Sequence, residues 1–199
     1  RMIDDLLDIS RVTRGVIVLK REEIELKKVL LRMLEVYQGQ MLAKNLKLET
    51  EFQEDPIYVF ADETRIEQVV SNLINNAIKF TDEGGTIRLT LNRHQGSAVL
   101  TVEDSGIGVD ARSKALIFEL FFQEDSSIGR SRGGIGVGLA LARKLVEMHQ
   151  GKLTVFSEGK NKGSVFQVTL PSVEPQILRE DPEYDQEIEN TCGSLNIAM

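Results

Sequence analysis

The segment Glu63–Phe80 most constrains the fold, because its apolar residues recur with the period of an α-helix. They lie three or four positions apart and share one helical face: Ile66, Val69, Val70, Leu73, Ala77 and Phe80. Asp62 comes directly before the segment, and its carboxylate can accept from the free amides of a first helical turn. The segment therefore predicts a capped amphipathic helix that packs one face against a core.

The opposite face of this helix carries a polar stripe, formed by Arg65, Gln68, Asn72, Asn76 and Lys79. Asparagine is a poor helix-interior residue because its amide competes for backbone groups, so three asparagines in one helix suggest a use. Asn72 and Asn76 lie one turn apart and can offer carbonyl oxygens to a hydrated hard cation, and Lys79 can lie beside phosphates. The alternative is an ordinary solvated polar face, and this helix alone leaves both interpretations open.

The composition of the 199 residues excludes several classes of function. The net charge of −7 argues against binding nucleic acid. The single cysteine, Cys192, excludes an internal disulfide and a cysteine-based zinc site. The sequence contains neither an apolar run long enough to span a membrane nor a signal peptide. Because the chain starts at Arg1 inside an amphipathic pattern, we expect it to be a fragment of a larger protein.

Apolar periodicity and turn residues predict the other elements. Further helices are predicted at residues 1–14, 25–44 and 138–149, with a short extended piece at residues 16–19. Strands are predicted at residues 46–52, 57–60, 86–92, 98–103, 152–157 and 164–170, and the last four form two hairpins. Pro171 is predicted to close the folded part, and the polar, mostly acidic residues 172–199 to form a linker or tail.

A first glycine-rich stretch, Asp104 to Gly108, directly follows a predicted strand. The end of the strand would present the Asp104 carboxylate, which can accept a hydrogen bond from an exocyclic amine. Gly106 and Gly108 would let the backbone approach a flat ring closely. The alternative is a simple turn, which is the more economical interpretation of this stretch taken alone.

A second glycine-rich stretch, Gly133 to Gly138, directly precedes a predicted helix. Free amides at a helix N-terminus form an anion site suited to phosphates. The glycine spacing does not match the dinucleotide-binding fold, and no Gly-Lys-Ser/Thr run of a P-loop occurs. Between the two stretches lie about 25 residues, rich in phenylalanine and then polar, which is typical of a functional lid or a disordered loop. We expect the lid to be mobile without nucleotide.

The order of these motifs resembles the ATP-binding catalytic domain of sensor histidine kinases, within the larger family of gyrase, Hsp90 and MutL. The N box resembles residues 72–79, the G1 box residues 104–108, the F box residues 118–122 and the G2 box residues 134–138. Residues 163–166 resemble the last strand of that domain, and residues 1–19 resemble the second helix of the dimerisation and phosphoacceptor domain. The resemblance implies three parts: residues 1–19, the ATP-binding domain at 20–171, and a tail at 172–199.

The resemblance also implies roles for the nucleotide-binding residues. Asn76 would hold Mg²⁺ with help from Asn72, Lys79 would contact phosphate, and Asp104 would bind the adenine amine. Gly106 and Gly108 would shape the adenine pocket. The triphosphate would lie against the G2 stretch, at Gly134, Gly136, Val137, Gly138 and Leu139. Phe118 and Phe122 would anchor the lid, and Arg130 and Arg132 would supply phosphate contacts.

Asn72 decides which chemistry the resemblance implies. The hydrolases of the larger family carry a glutamate general base at this position, so its absence favours phosphoryl transfer. The acceptor would be a histidine on a helix that this chain does not contain, because His94 lies in a predicted hairpin turn and His149 ends a predicted helix. The alternatives are an ATPase of the same fold and a degenerate nucleotide-binding regulatory module.

The expected fold is a two-layer α/β sandwich, in which three α-helices cover a mixed β-sheet. This is the Bergerat ATP-binding fold, preceded here by a helix from a helical dimerisation domain. The resemblance implies ATP and Mg²⁺ as ligands and a response regulator receiver domain as a partner. It also implies a homodimer in the full-length protein and a cytoplasmic domain, whether or not the parent protein is anchored in a membrane.

Overall fold

The computed structural model describes residues 7, 8, 10, 14, 17–123 and 135–174. Its helices are α1 (Leu26–Ala43), α2 (Glu63–Phe80) and α3 (Gly138–Met148). Its strands are β1 (Glu22–Glu25), β2 (Lys47–Phe52), β3 (Tyr58–Ala61), β4 (Thr86–His94), β5 (Ser97–Asp104), β6 (Lys152–Phe156) and β7 (Ser164–Val173). None of the helices in this described part is long and apolar enough to cross a membrane.

The strands form one mixed sheet in the order β1-β3-β7-β5-β4-β2, and β6 also pairs with β7. Strands β2 and β4 are parallel, and the other pairs are antiparallel. Along β4, the buried residues Ile87, Leu89 and Leu91 alternate with more exposed ones, as expected for a sheet covered on one face. All three helices contribute to the buried cluster on that face. The predicted two-layer α/β sandwich is confirmed.

Helix α2 has the bounds that its periodicity predicts. The Asp62 carboxylate accepts a hydrogen bond from the backbone N–H of Arg65, so the predicted N-terminal cap is present. At the other end, the backbone N–H and the hydroxyl of Thr81 both donate to the carbonyl oxygen of Ala77, at 3.0 and 2.6 Å. Backbone groups at both ends of α2 are therefore hydrogen-bonded, and its apolar face is buried. Together these features hold the helix against the sheet.

Strand β1 differs from the prediction, which starts a helix at Glu25. Glu22–Glu25 instead pairs antiparallel with β3, where Ile24 lies opposite Val59. Only Ile24 of these four residues is buried. Three glutamates disfavour a strand locally, but pairing along the edge of the sheet outweighs that preference.

Strand β7 also differs, because it continues past the predicted end at Leu170 to Val173. Pro171 lies opposite Ser97, the N–H of Ser172 donates to the carbonyl of Gly96, and Val173 pairs with Tyr58 of β3. On the edge of β7 that faces away from β5, β6 is the partner up to Thr169, and β3 takes that place at Ser172 and Val173. Strand β2, predicted to be half-buried, is largely exposed because it lies at the edge of the sheet.

The N-terminal segment contacts α2 through Asp8. Leu7, Asp8 and Ser10 are helical, in line with the predicted N-terminal helix. The Asp8 carboxylate accepts from Nη1 of Arg65 at 2.8 Å and from Nε2 of Gln68 at 2.9 Å. Arg14, at the end of the predicted helix, lies in a turn; the remaining residues of that helix, residues 124–134 of the lid and the tail from residue 175 lie outside the described residues.

Candidate functional site

Asp104, the last residue of β5, is only 5% exposed. Its Oδ1 accepts from the backbone N–H of Gly106 at 2.9 Å, and its Oδ2 accepts from the hydroxyl of Ser164. Ser164 lies directly opposite Asp104 in the pairing of β5 with β7. The pleat of the sheet therefore fixes the orientation of the carboxylate.

Burial raises the pKa of Asp104, and the hydrogen bonds from Ser164 and Gly106 oppose that rise. An ionised carboxylate has two oxygens with about four lone-pair positions. Because Ser164 and Gly106 occupy one position on each oxygen, the group keeps capacity to accept from one more donor. This arrangement can recognise an amine on a flat, buried ligand.

The G1 turn after Asp104 is packed against the C-terminus of α2. A Cβ on Gly106 would lie 2.3 Å from the carbonyl oxygen of Phe80 and 2.7 Å from Oδ1 of Asp104. The N–H of Ile107 donates to the same Phe80 carbonyl at 3.2 Å. Gly108 is held from the other side, where its Cβ would lie 2.1 Å from the carbonyl oxygen of Gly159. The stretch is thus a packed junction and more than the simple surface turn that its sequence also allows.

One asparagine of α2, Asn72, lies beside the N-terminus of α3. Asn72 is half-buried, and its Oδ1 lies 3.2 Å from the position that a Cβ on Gly138 would occupy. Its buried Nδ2 has no hydrogen-bond partner among the described residues. Asn76, one turn further along, is also half-buried, whereas Asn75 is exposed. The stripe is therefore partly covered, unlike a fully solvated helix face.

Lys79 continues this stripe towards the G1 turn. Its side chain is half-buried, and burial lowers the pKa of its ammonium group. The Nζ atom lies 4.6 Å from the centroid of the Phe80 ring. A bound anion would raise the pKa again, because an opposite charge favours the charged form. Lys79 is therefore suited to contact a phosphate.

The N-terminus of α3 has no side-chain cap. Val137 occupies the cap position, makes no capping hydrogen bond, and is followed by a first turn without acidic residues. The first amides of a helix lack internal partners and carry partial positive charge. Val137 is buried and Leu139 half-buried, so apolar side chains flank these amides.

The F-box segment packs on the G2 stretch at Gly136. The N–H of Phe121 donates to the carbonyl of Gly136 at 3.0 Å. Gly136 has a φ of +75° and no room for a side chain, since its Cβ would lie 2.5 Å from the carbonyl oxygen of Phe122. This conformation favours glycine and explains why glycine is needed here.

The phenylalanines of this segment divide into anchors and an exposed ring. Phe118 packs against the core, and the guanidinium carbon of Arg143 lies 5.5 Å from its ring centroid. Phe122 is half-buried, while Phe121 is 60% exposed. Arg130, Arg132 and Gly134, predicted to contact phosphates, lie outside the described residues.

The donor set suits a magnesium ion that is shared with phosphates. Among the described residues, no group of three or more His, Cys, Asp or Glu side chains could hold a metal ion. Mg²⁺ is commonly held by few protein oxygens and completes its shell with water and substrate phosphates. The Asn76 side chain has no hydrogen-bond partner within the described part of the chain, so its carbonyl oxygen is available. Asn72 lies one turn before it.

Sequence reasoning assigned no role to Ser164, and placed His149 only at the end of a predicted helix. Ser164 stands in the motif at residues 163–166, but its bond to Asp104 depends on the register of two strands that lie far apart in the sequence. His149, at the end of α3, is buried and accepts from the backbone N–H of Asp62 at 3.0 Å. Neither contact has a local sequence signal.

Comparison with known families gives one match over most of the folded part. The family model described as histidine kinase-, DNA gyrase B- and HSP90-like ATPase matches residues 61–174. The matched region contains β4 to β7, α2 and α3, and every residue of the site described above.

Curated relatives are sensor kinases. The chain is 35% identical over 191 residues to the circadian input-output histidine kinase CikA of Synechococcus elongatus, covering 95% of this chain and 25% of that protein. It is 36% identical over 172 residues to the adaptive-response sensory kinase SasA of Crocosphaera subtropica, covering 86% of this chain and 44% of that protein. The chain thus spans from a quarter to less than half of these relatives.

Solved structures with the same fold are histidine kinases. A crystal structure of full-length ShkA in complex with AMPPNP matches with a TM-score of 0.77 and 27% identity, over 87% of this chain and 36% of that one. The catalytic domain of the histidine kinase ThkA in a nucleotide-free form matches with a TM-score of 0.68 and 29% identity, over 76% of this chain and 95% of that one.

Proposed function

Because this chain belongs to the histidine kinase-, DNA gyrase B- and HSP90-like ATPase family, we propose that it is the catalytic part of a sensor histidine kinase. In this proposal it binds Mg-ATP and transfers the γ-phosphoryl group to a histidine on a helical dimerisation domain. The sensor kinases among its relatives support this choice within the family. The ShkA complex with AMPPNP supports an ATP-like ligand.

One observation carries the proposal: a single helix joins the two ends of the site. The last residue of α2, Phe80, accepts from the G1 turn that follows Asp104. The middle of the same helix brings Asn72 against Gly138 at the N-terminus of α3. About 12 Å of helix separates Asn72 from Phe80. An amine-binding carboxylate and an anion-binding helix end are thus held at a fixed separation, as an extended nucleotide requires.

At the base end, Asp104 accepts from the adenine amine, and Gly106 and Gly108 let the backbone approach the ring. At the phosphate end, Lys79 and the amides around Gly136 and Gly138 contact phosphate oxygens. The apolar lining comes from Val137 and Leu139, the lid anchors are Phe118 and Phe122, and the remaining phosphate contacts come from Arg130, Arg132 and Gly134.

In this proposal the side-chain oxygens of Asn76 and Asn72 would hold Mg²⁺. When bound, the ion neutralises the charge that develops on the phosphate oxygens during transfer. Because α2 packs one face against the sheet, these side chains are held in place and can orient the triphosphate.

The environment of α2 favours transfer over hydrolysis. The only carboxylates on this helix, Glu63 and Glu67, both pair with Arg32 of α1. No carboxylate of α2 is therefore positioned to take a proton from a water beside Asn76. In transfer, a nitrogen of the acceptor histidine bonds to the γ-phosphorus, the bond to the β–γ bridging oxygen breaks, and ADP leaves.

The remaining assignments belong to the whole protein. We propose that it is a homodimer through its helical domain and passes the phosphoryl group to a response regulator receiver domain, with this part in the cytoplasm. Residues 1–19 are assigned to the dimerisation domain, and the ATP-binding domain starts at residue 20. Residues 172–199 are assigned to a linker or tail, and the first two of them form the end of β7 at Val173.

The test is to incubate the protein with γ-labelled ATP, alone and with a separately produced dimerisation domain that carries the histidine. We expect acid-labile label on the added domain only. Release of free phosphate in its absence at a comparable rate would indicate an ATPase. Nucleotide binding without transfer or hydrolysis would indicate a regulatory module. Label on this chain that is lost in a His94→Ala or His149→Ala variant would overturn the assignment of the acceptor.

A further inference from the structure

The imidazole of His149 makes a defined hydrogen bond at each ring nitrogen. The residue caps the C-terminus of α3 and is 4% exposed. Its Nε2 accepts from the backbone N–H of Asp62 at 3.0 Å, so this nitrogen carries no proton. Its Nδ1 then carries the proton and donates to the carbonyl of Leu145 at 2.8 Å. The ring is therefore neutral, with one tautomer selected by its surroundings.

Asp62 connects this histidine to two more segments. Its Oδ1 caps α2 through the N–H of Arg65 at 3.2 Å, and its Oδ2 accepts from the N–H of Lys20 at 2.9 Å. The neighbouring Arg21 donates to the carbonyl of Met148 at the end of α3. The chain that leads in from the N-terminal segment, the start of α2 and the end of α3 thus meet at one point.

Both helices run from this junction to the proposed nucleotide site. Helix α2 leads over about 15 Å from Asp62 to Asn72, and α3 leads over about 16 Å from His149 to Gly138. At that far end the two helices meet again, where Oδ1 of Asn72 lies 3.2 Å from the Cβ position of Gly138. Any shift between the helices at the junction therefore changes the placement of the asparagines relative to the α3 amides.

We propose that His149 is a positioning residue that holds the metal-binding asparagines of α2 in register with the phosphate-binding N-terminus of α3. The proposal rests on the function proposed above. The hydrogen bond between Asp62 and His149 is sensitive to protonation, because a proton on Nε2 would face the N–H of Asp62 with no acceptor between them. The proposal also ties the nucleotide site to Lys20 and Arg21, which lead from the N-terminal segment.

The surroundings of the ring favour the neutral form. Burial lowers the pKa of His149, and the positive charge of Arg21 lowers it further, while the carbonyl of Leu145 and the carboxylate of Asp62 act in the opposite direction. Arg21, from the chain before β1, and Asp62, at the start of α2, are the charged groups that act on it. The stability that the neutral His149 contributes is fully present above its unfolded pKa of about 6.5. It is lost as the pH falls through the lower folded pKa.

Two substitutions test the hydrogen bonds of the two ring nitrogens of His149 separately. His149→Gln places an amide oxygen near the position of Nε2 and can still accept from Asp62. His149→Asn places an amide nitrogen near Nδ1, so it keeps the donor to Leu145 and leaves the N–H of Asp62 without a partner. We expect the Gln variant to keep most of its Mg-ADP affinity by calorimetry, and the Asn variant to lose roughly tenfold. Equal affinity in both folded variants and the wild type would overturn the proposal.

A second measurement uses the wild-type protein and needs no variant. In an NMR titration from about pH 8 downwards, continued through the midpoint of the His149 imidazole, the amides of Asp62 and Gly138 should shift with that midpoint. A Gly138 amide that does not follow His149 would contradict the proposal. Failure of the wild type to bind nucleotide would instead contradict the proposed function, and the amide shifts would still test the coupling.

Discussion

The hydroxyl of Ser164 on β7 donates a hydrogen bond to the carboxylate of Asp104, its direct cross-strand partner on β5. The carboxylate is buried among backbone and hydroxyl donors instead of pairing with a cation. Its orientation is therefore set by the sheet, and its free lone pairs are left for a ligand. This relationship makes Asp104 the most informative residue to change.

Asp104→Asn should weaken nucleotide binding without unfolding the protein. The amide replaces one carboxylate oxygen with an NH2 group, which removes half of the positions that can accept from the adenine amine. This loss should lower Mg-ATP affinity in calorimetry by roughly tenfold or more. The unfolding free energy at neutral pH should change by less than about 1 kcal/mol, because the Ser164 hydroxyl can rotate to accept. Wild-type affinity in this variant would contradict the assignment of the adenine contact.

The raised pKa of Asp104 has opposite consequences for stability and for binding. Its contribution to stability is fully present below the unfolded pKa of about 3.9 and is lost as the pH rises through the higher folded pKa. Binding needs the ionised form, so affinity should fall as the pH drops through the same range. Denaturant unfolding of the wild type and Asp104→Asn at several pH values checks the first statement. A difference in unfolding free energy that does not change with pH would contradict it.

Gly106→Ala and Gly39→Ala should have opposite effects. A Cβ on Gly106 would meet the Phe80 carbonyl at 2.3 Å, and backbone must move to admit it. We expect a loss of about 2 kcal/mol or more in unfolding free energy and loss of nucleotide binding. A Cβ on Gly39 in α1 would meet nothing within 4 Å. That variant should gain about 0.5–1 kcal/mol and bind normally. Similar melting temperatures for the two variants would contradict the packed G1 turn.

The ion pair between Asp8 and Arg65 should hold the N-terminal segment on α2. The side chains are 14% and 22% exposed, respectively, so solvent screens the pair incompletely. Asp8→Arg should weaken the contact by roughly 1 kcal/mol and speed hydrogen exchange at the Arg14 amide, which donates to the Ser10 carbonyl. The charge-swapped double variant Asp8→Arg with Arg65→Asp should restore part of the protection, and Lys28→Ala should leave it unchanged. No recovery in the double variant would contradict this contact.

Local patterns predicted the helical part of the fold well. The period of apolar residues and the Asp62 cap specify α2 to the residue, and the mixed sheet covered by three helices was implied by the resemblance to histidine kinase catalytic domains. The edge strand β1 was missed because three of its four residues are glutamates, and only its pairing with β3 stabilises it. The extension of β7 past Pro171 was missed for a similar reason, because it depends on a change of partner strand.

The site was predictable in its motifs and less so in its supporting contacts. The structure brings Asn72 to Gly138, and Phe122 to Gly136, as the order of the boxes suggests. The bonds of Ser164 to Asp104 and of His149 to Asp62 join residues 60 and 87 positions apart. No local pattern encodes such contacts, because they depend on strand register and on how helices end against each other. The metal and nucleotide roles themselves stay predictions.

The rate of phosphoryl transfer from γ-labelled ATP to a separately produced dimerisation domain tests the proposed function most directly. It should be compared in the wild type, Asn76→Asp and Asn75→Asp, since Asn75 is exposed on the same helix and receives the same charge. We predict that Asn76→Asp slows transfer roughly a hundredfold, because it alters the group that orients the metal and triphosphate, and that Asn75→Asp transfers at nearly the wild-type rate. Equal rates in all three proteins would contradict a phosphotransferase site on α2.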